Sequence, residues 1–408
     1  MNQRPWSNQS HPQVRGLGFV PCIFSVLVLL AMAGIAGAPV PIAAQSPGGS
    51  YLAYVGTYTN GTSKGLYSYR FDSQTGRLRA LGLAAALPNP SFAIVDRGHR
   101  HLYAVTEMGE KGPRDSSGSV SAFALNPRTG ALTFLNKVPS GGSATAHLAL
   151  DRTGKMLVIA NYSSGSVASF AIEPDGRIGR RTGFDQHTGS SVVRARQASP
   201  HPHEAVFSPD NRFLFVPDLG TDRVYSYRVD LARQTFVPNT PAWFTVPPGL
   251  GPRHILFGPG AKFAYLVCEV GSRAVVFQYN AAHGLLHVIQ TISTLPQNFS
   301  GEDTSAEIQI DRAGRHLYAS NRGDDSITIF SIDPESGKLT QKQIEPTQGK
   351  GPRNFVLDPS GKFLLAANQF TNNIVEFSID PASGRIHPNG IAESIGAPVC
   401  ILFVPGRE

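Results

Sequence analysis

A motif that recurs every fifty or so residues is the feature that most constrains this chain. Each copy has a short alternating strand, a turn that is mostly Asp/Pro-x-Gly-Lys/Arg, and a second apolar strand. One apolar position of the second strand recurs at intervals of 55, 57, 50, 53 and 47 residues, from Leu102 to Leu364. The six copies occupy residues 90–107, 145–162, 202–219, 252–269, 305–322 and 352–369.

Each copy continues with a third strand and, often after a Pro-x-(Thr/Ser)-Gly turn, a fourth strand. Four strands at this period are typical of a propeller blade, and the 42 Gly and 31 Pro suit its many turns. Residues 51–83 supply a second, third and fourth strand without a first, and residues 397–404 supply a lone first strand. The sequence therefore predicts an all-β, seven-bladed β-propeller with four antiparallel strands per blade. Its ring is closed by the C-terminal strand joining the N-terminal blade, which removes open sheet edges.

The first 44 residues are predicted to be a signal peptide and a short linker, followed by the propeller domain at residues 45–408. Arg4 and Arg15 precede an uncharged run at residues 16–38, which ends in a small-x-small cleavage pattern. An uncleaved membrane anchor is the alternative, because the run is long enough to span a bilayer. Cleavage would give a secreted or periplasmic protein without stable membrane association.

Charge and cysteine content bear on nucleic-acid binding and on disulfide formation. The net charge is +7 but no Lys/Arg-rich block occurs, which favours a solvated surface over a nucleic-acid-binding face. Cys268 and Cys400 fall on separate blades, so we expect two unpaired, buried thiols. A monomer is expected.

The innermost strand of each blade lines the central channel of a propeller. The position four residues before the turn aspartate, or its equivalent, forms one ring, and the preceding position forms another. Neighbours on a strand point to opposite sides, so alternation would keep the two rings from facing the channel at the same depth. The first ring reads Phe92, His147, Glu204, His254, Glu307, Asn354 and Cys400, and the second reads Ser91, Ala146, His203, Arg253, Ala306 and Arg353.

With this repeat, the chain resembles the lactonases that have a seven-bladed propeller fold. That family includes one type of 6-phosphogluconolactonase and the fungal enzyme that cyclises carboxy-cis,cis-muconate. The resemblance covers residues 51–404 and is most specific at residues 187–227, 251–259, 305–330 and 351–369. It implies hydrolysis of a lactone or sugar-acid derivative, with no metal and no other cofactor. The predicted signal peptide suggests a shift to an unphosphorylated aldonolactone, since the phosphorylated one belongs to a cytoplasmic pathway. The expected chemistry stays that of a 6-phosphogluconolactonase, and the sequence leaves open whether the substrate is phosphorylated.

Opening a lactone requires a base for water, a positive partner for the carbonyl oxygen and a proton for the leaving oxygen. His147, Glu204 and Arg253, on three consecutive blades, offer this set, and Arg196 in the linker before the fourth blade could cover the channel mouth. The resemblance to the cyclising enzyme places its proposed site on the same four residues. As a channel-mouth residue, Arg253 should be replaceable by alanine with little loss of stability. The expected substrate-binding residues are His187, His203, His254, Glu307 and Arg353.

Other interpretations stay open. The polar ring could simply satisfy its own hydrogen bonds or those of channel water. His201 and His203, completed by Glu307 and His254, could form a metal site, which we consider the weaker alternative. The whole chain could be a non-catalytic propeller that binds a protein or glycan, or a muconate-type lactonising isomerase. Polar residues that recur at the end of the second strand are expected to cap turns; they are Thr106, Asn161, Asp218, Asn321 and Asn368.

Overall fold

The computed structural model describes residues 49–108 and 118–406. The predicted signal peptide lies outside the described residues. Within them, seven separate four-stranded antiparallel sheets follow one another along the chain. The structure therefore confirms the seven blades predicted from the repeat and the four strands in each blade.

Three blades come from the first part of the chain and from its last strand. Blade 1 contains β28 (Pro398–Pro405), β1 (Ser50–Thr57), β2 (Gly65–Asp72) and β3 (Leu78–Ala86). Blade 2 contains β4 (Ala93–Val95), β5 (His101–Thr106), β6 (Ser119–Leu125) and β7 (Leu132–Pro139). Blade 3 contains β8 (Thr145–Leu150), β9 (Met156–Asn161), β10 (Ser166–Ile172) and β11 (Ile178–Gln186).

A four-residue helix, α1 (Arg194–Gln197), lies in the linker that leads to blade 4. Blade 4 contains β12 (Val206–Phe207), β13 (Phe213–Asp218), β14 (Arg223–Asp230) and β15 (Thr235–Thr245). Blade 5 contains β16 (Pro252–Phe257), β17 (Phe263–Cys268), β18 (Arg273–Asn280) and β19 (Leu285–Ser293), with a 3-10 turn at Pro259–Ala261.

Blade 6 contains β20 (Ser305–Ile310), β21 (His316–Asn321), β22 (Ser326–Ile332) and β23 (Leu339–Pro346). Blade 7 contains β24 (Pro352–Leu357), β25 (Phe363–Asn368), β26 (Asn373–Ile379) and β27 (Ile386–Ser394). No helix of the described ranges is long and apolar enough to cross a membrane.

Strand β28 closes the ring as the sequence predicts. It pairs antiparallel with β1, where Leu52 lies opposite Val404 and Val55 opposite Ile401. Cys400 on β28 is buried and unpaired, and so is Cys268 on β17, which confirms the prediction of two free thiols.

The core lies between blades rather than within them. Tyr103 and Val105 of blade 2, for example, pack with Leu157 and Ile159 of blade 3. Each fully buried aliphatic side chain of this kind stabilises the fold by about 1.5–3 kcal/mol. Because every sheet packs against the next one, the blades hold the channel strands in a fixed ring.

The turn between the first and second strand explains the recurring Asp-x-x-Gly. The Asp151 Oδ1 atom accepts hydrogen bonds from the backbone N–H groups of Lys155 and Met156, both at 2.8 Å. Gly154 adopts a φ of 71°, which favours glycine over other residues. The carboxylate and the glycine thus set the hairpin that joins the channel strand to the next one.

Four channel strands carry an irregularity at their starts. On β8, β16, β20 and β24 the pairing register shifts by one residue, so that an extra residue is left out of the ladder. Arg253 and Arg353 are two of these extra residues. Such a β-bulge re-aims side chains. It lets both predicted rings approach the channel, which strict alternation would not allow.

Candidate functional site

Two cavities open at opposite ends of the channel. The second strand of each blade runs antiparallel to the first, so the start of the first strand and the end of the second lie at the same end of the channel. The later residues of the first strands lie at the opposite end of the channel. The upper chamber, of about 320 Å³, is lined by Tyr58, Glu107, Ala146, Tyr162, Arg196, His203, Glu269, Thr304, Arg322 and Arg353. The lower chamber, of about 580 Å³, contains the polar ring of His147, Glu204, His254, Glu307 and Asn354 among apolar side chains.

Glu269 is the centre of charge in the upper chamber. The Nε atom of Arg253 donates to its Oε2 atom at 2.9 Å, and the Nη2 atom of Arg322 lies 2.8 Å from the same oxygen. Arg196 donates to the other oxygen. Burial alone would raise the pKa of Glu269, but the charges of the three guanidinium groups outweigh it and hold that pKa well below its usual range. Glu269 is therefore ionised at every physiological pH.

His203 is the uncharged member of the upper chamber. Its side chain is buried, and burial together with the neighbouring charge of Arg253 lowers its pKa well below the usual 6.5. The imidazole is therefore neutral at neutral pH. Its Nδ1 atom has no hydrogen-bond partner among the described residues, while Nε2 lies 3.9 Å from the Glu269 carboxylate. A neutral imidazole can accept a proton, and the lowered pKa makes His203 a weaker base than a free histidine.

Glu107 and Arg353 form the opposite wall of the upper chamber. The hydroxyl of Tyr58 donates to Glu107 Oε2 at 3.0 Å, and Arg353 Nη2 lies 3.9 Å from the same oxygen. The guanidinium of Arg353 also lies over the Tyr58 ring, 5.3 Å from its centroid. These contacts add a further cation and a further carboxylate to the chamber.

Hydrogen bonds tie the polar ring of the lower chamber to the strands of neighbouring blades. The backbone N–H of Ile255 donates to the Glu204 carboxylate, and that of Ile401 donates to Asn354 Oδ1 at 2.8 Å. Asn354 in turn donates to Glu307 at 2.6 Å. Each bond joins a channel strand to the strand of another blade, so these side chains have a structural role whatever else they do.

The same ring carries little charge. Burial raises the pKa of Glu307 and raises that of Glu204 well above the usual value, since both carboxyls lie in a poorly solvated channel. Burial also lowers the pKa values of His147 and His254 well below 6.5. His147 Nε2 and Glu204 Oε1 lie 3.7 Å apart. The lower ring is therefore much closer to neutral than the upper chamber.

The structure divides the residues predicted from the sequence between the two chambers. Arg196, His203 and Arg353 line the upper one, as the lid position expected for Arg196 requires. The lower one takes His147, Glu204, His254 and Glu307. The four residues expected to act together as catalytic groups are thus not all in one cavity.

Arg253 lies between the chambers and is only 2% exposed. Its Nε atom binds Glu269 above, and its Nη1 atom lies 3.3 Å from His254 Nε2 below. Burial lowers its pKa to about 10, so it stays charged at neutral pH. Arg253 is therefore not the open mouth residue expected from the sequence. Because its guanidinium is enclosed and paired, we now expect Arg253→Ala to lower stability.

His187 is in neither chamber. Its Nδ1 atom lies 2.6 Å from Asp218, its Nε2 atom lies 2.8 Å from the Tyr227 hydroxyl, and its ring stacks on Tyr225. Asp218 also accepts a hydrogen bond from the backbone of His201 at 2.9 Å. This buried cluster fixes both ends of the linker that carries α1, so the geometry gives His187 a positioning role in place of the predicted contact with substrate.

The sequence analysis missed the position that follows the second strand. That position supplies Glu107, Tyr162, Glu269 and Arg322, and Tyr58 comes from the corresponding region of blade 1. The signal was present, because each of the first four closes one copy of the aligned repeat. At the preceding position, Asp218 caps its turn as predicted by accepting hydrogen bonds from the backbone N–H groups of Gly220 and Thr221. Asn161, Asn321 and Asn368 instead donate to backbone carbonyls of distant segments at 2.9–3.3 Å, and Thr106 Oγ1 has no partner among the described residues.

The alternative of a histidine metal pair is not supported by the arrangement. His201 stacks on Tyr162, and its Nδ1 atom lies 3.0 Å from the carbonyl oxygen of the same tyrosine. It does not line the upper chamber with His203. In the part of the chain that the structure describes, no group of three or more His, Cys, Asp or Glu residues could hold a metal ion.

Comparison with known proteins agrees with the ring and its channel. The family model described as "Lactonase, 7-bladed beta-propeller" matches residues 52–403, and the chain belongs to this family. It is 35% identical over 308 residues to a 6-phosphogluconolactonase of Bacillus subtilis, an alignment that covers 76% of this chain and 85% of that protein. It is also 35% identical over 311 residues to a 6-phosphogluconolactonase of Formosa agariphila, covering 75% and 86% of the two chains.

Among solved structures, the periplasmic gluconolactonase of Pseudomonas aeruginosa superposes with a TM-score of 0.83 at 34% identity. The superposition covers 87% of this chain and 99% of that one. These relatives thus carry names for lactonases, and one of them is named as periplasmic.

Proposed function

We propose that this protein is a hydrolase that opens a sugar lactone in the upper chamber, without a metal ion. The observation that carries the proposal is the pairing of a neutral, buried His203, whose Nδ1 atom has no hydrogen-bond partner among the described residues, with several guanidinium groups around one small cavity. The names of the two 6-phosphogluconolactonases and of the periplasmic gluconolactonase support the substrate class.

In this mechanism His203 accepts a proton from the water that attacks the lactone carbonyl carbon. The negative charge that develops on the carbonyl oxygen is stabilised by Arg322 and Arg353, whose positions are fixed before the reaction begins. When the ring C–O bond breaks, the leaving oxygen takes a proton from the imidazolium. The product is the open hydroxy acid, and the imidazole returns to its neutral form.

Glu269 has a positioning role in this mechanism. Its strongly lowered pKa makes it a poor base, but its carboxylate gathers the guanidiniums of Arg196, Arg253 and Arg322. Without this anion, three positive charges would repel one another in a space with little solvent. Glu107, Tyr162 and Thr304 add acceptors and donors for the hydroxyl groups of a sugar.

An unphosphorylated aldonolactone is our proposed substrate, with a secreted or periplasmic location. The name of the periplasmic relative supports this choice. The assay compares initial hydrolysis rates on plain and 6-phosphorylated gluconolactone, with and without a chelator, after subtraction of spontaneous hydrolysis. Turnover that resists the chelator and is faster on the plain lactone is expected. Absence of turnover on both lactones would contradict the proposal and favour a non-catalytic binding propeller.

Arg322→Gln should lower kcat by about 10²–10³-fold, the usual effect of removing one preorganised oxyanion donor. Its guanidinium faces the upper chamber from the end of β21. The matched control is Arg315→Gln, since Arg315 lies on the exterior at the start of the same hairpin and donates to the carbonyl of Pro381. Equal rates for both variants would exclude Arg322 from the reaction.

Glu204→Gln tests which chamber is catalytic. The raised pKa of Glu204 favours its protonated, uncharged form. A glutamine is also uncharged, and it can still accept a hydrogen bond from the backbone N–H of Ile255. We expect kcat/KM to change by less than about tenfold, or 1.4 kcal/mol. A folded Glu204→Gln protein without activity would instead place the reaction in the lower chamber, as first predicted from the sequence.

The pH profile follows from the lowered pKa of His203. A general base must be deprotonated, and a lowered pKa keeps it so to more acidic pH. The acid limb of kcat/KM should therefore lie below pH 6.5, with activity falling as pH falls through the shifted value. An acid limb centred above 6.5 in buffers from pH 4.5 to 7.5 would argue against His203 as the base.

A further inference from the structure

The lower chamber has a second ring of channel-facing side chains that the proposed reaction does not use. Alternation along the first strands places the residue two positions after each member of the polar ring on the same face. Gln309 occupies this position in blade 6, and the other partly buried members that line the cavity are the apolar Ile94, Val206, Leu256 and Leu402. We call them the apolar belt. Apolar surface facing a channel is unfavourable while it faces water.

Charge separates this chamber sharply from the upper one. Among the described residues, no lysine or arginine lines this cavity itself, whereas three arginines line the upper chamber. Arg97 and Arg152 line a neighbouring cavity that shares His147 and Glu204 with it. Its floor offers hydrogen-bonding groups, among them Glu204 and Glu307, whose pKa values are both raised by burial. An anion would lose its hydration there, and the guanidinium of Arg253, which reaches to within 3.3 Å of His254 Nε2, is already paired with Glu269.

We propose that the lower chamber is a binding site for an uncharged small molecule with an apolar body and one hydrogen-bonding end. The apolar body would lie against the belt, and its polar end would reach His147, Glu204 or Glu307 on the floor. Its volume, about 580 Å³, is within the range of ligand pockets, and mostly apolar walls with a few convergent polar groups are their usual composition. The site is separate from the upper chamber and does not depend on the lactonase proposal.

Three probes with the same eight-carbon chain test the charge of the ligand: 1-octanol, octanoate and octylammonium. Each is titrated calorimetrically into the purified protein at neutral pH. We expect 1-octanol to bind with one molecule per chain and at least tenfold more tightly than either ion. No binding of 1-octanol, or binding of an ion with equal or greater affinity, would overturn the proposal.

Leu256→Lys places a cation in the apolar belt and tests whether 1-octanol binds there. Relative to the unmodified protein, this variant should bind 1-octanol at least tenfold more weakly and octanoate more tightly. Val237→Lys is the matched control, because Val237 is exposed on the outer strand β15 and receives the same charge. Loss of binding in both variants, or in neither, would place the alcohol elsewhere and overturn the proposal.

Leu402→Trp is a second variant that fills the cavity without adding a charge, and it serves if Leu256→Lys does not fold. It should also abolish 1-octanol binding. Lactone hydrolysis measured on the same samples keeps the two proposals apart, because neither residue lines the upper chamber. The variants should keep their lactone hydrolysis while losing octanol. In the unmodified protein, activity without octanol binding would refute the lower site alone, and octanol binding without activity would refute the lactonase alone.

Discussion

His203→Gln is expected to lower kcat on gluconolactone by about 10²–10⁴-fold, the usual contribution of a general base. Glutamine retains a polar side chain of similar size but cannot accept and return a proton at neutral pH. Because the Nδ1 atom of His203 has no partner among the described residues, the substitution breaks no hydrogen bond of that atom. The melting temperature should therefore change far less than the rate. The measurement is steady-state kinetics with a thermal melt of the same preparation.

The control for this variant is His201→Gln, two residues earlier on the same segment. Its Nδ1 atom lies 3.0 Å from the carbonyl of Tyr162, outside the upper chamber. We expect close to full activity. A His203→Gln protein that is folded and fully active would remove the histidine from the mechanism and transfer the role of base to another group.

Glu269→Gln is expected to destabilise the fold by about 3–5 kcal/mol, the cost of leaving a buried charge without its partner. Arg253 and Arg322 are both nearly enclosed, and each has Glu269 as its carboxylate partner. Neutralising it leaves positive charges facing one another in a poorly solvated space. Urea unfolding at pH 7 measures the free-energy difference. Glu107→Gln is the control, since Glu107 lies in the same chamber but outside this cluster.

The effect of Glu269→Gln should depend on pH in a defined direction. The folded-state pKa of Glu269 is lowered from 4.5, so its stabilising effect is complete above about pH 4.5. It is lost as pH falls towards the folded-state value, because the unfolded chain then binds a proton at this carboxylate while the folded protein does not. The difference in unfolding free energy between the two proteins should therefore narrow below pH 4.5. A difference that stays constant down to pH 3 would contradict the role of the charge.

The fold was predictable because each blade repeats its own local signals. In three blades an aspartate and the glycine three residues later set the first hairpin, whereas His99, Asn211 and Ala261 take the positive-φ position in blades 2, 4 and 5. The apolar second strands had to pack against neighbouring blades. Even the closing strand was visible, since residues 397–404 form a channel strand with no successor. These are short-range patterns that a sequence displays directly.

The candidate site was predictable only in part. Both rings of polar residues were found, but alternation alone did not show that bulges beside Arg253 and Arg353 re-aim neighbouring side chains. Nor did the sequence show which end of the channel each residue faces. The Glu269 cluster unites residues from a linker helix and two blades, and such a meeting depends on the closed ring rather than on local pattern.

Blade 1 has a consequence for how the protein is made. Its strands β1, β2 and β3 leave the ribosome early, but their partner β28 emerges only after residues 58–397 have been synthesised. Bringing such distant strands together carries a large loop-closure cost and is slow. Blades 2–7 can assemble as a growing arc during translation, whereas the circle is locked by the final strand. The unpaired edge of β1 is thus the segment of the nascent chain most in need of protection from aggregation.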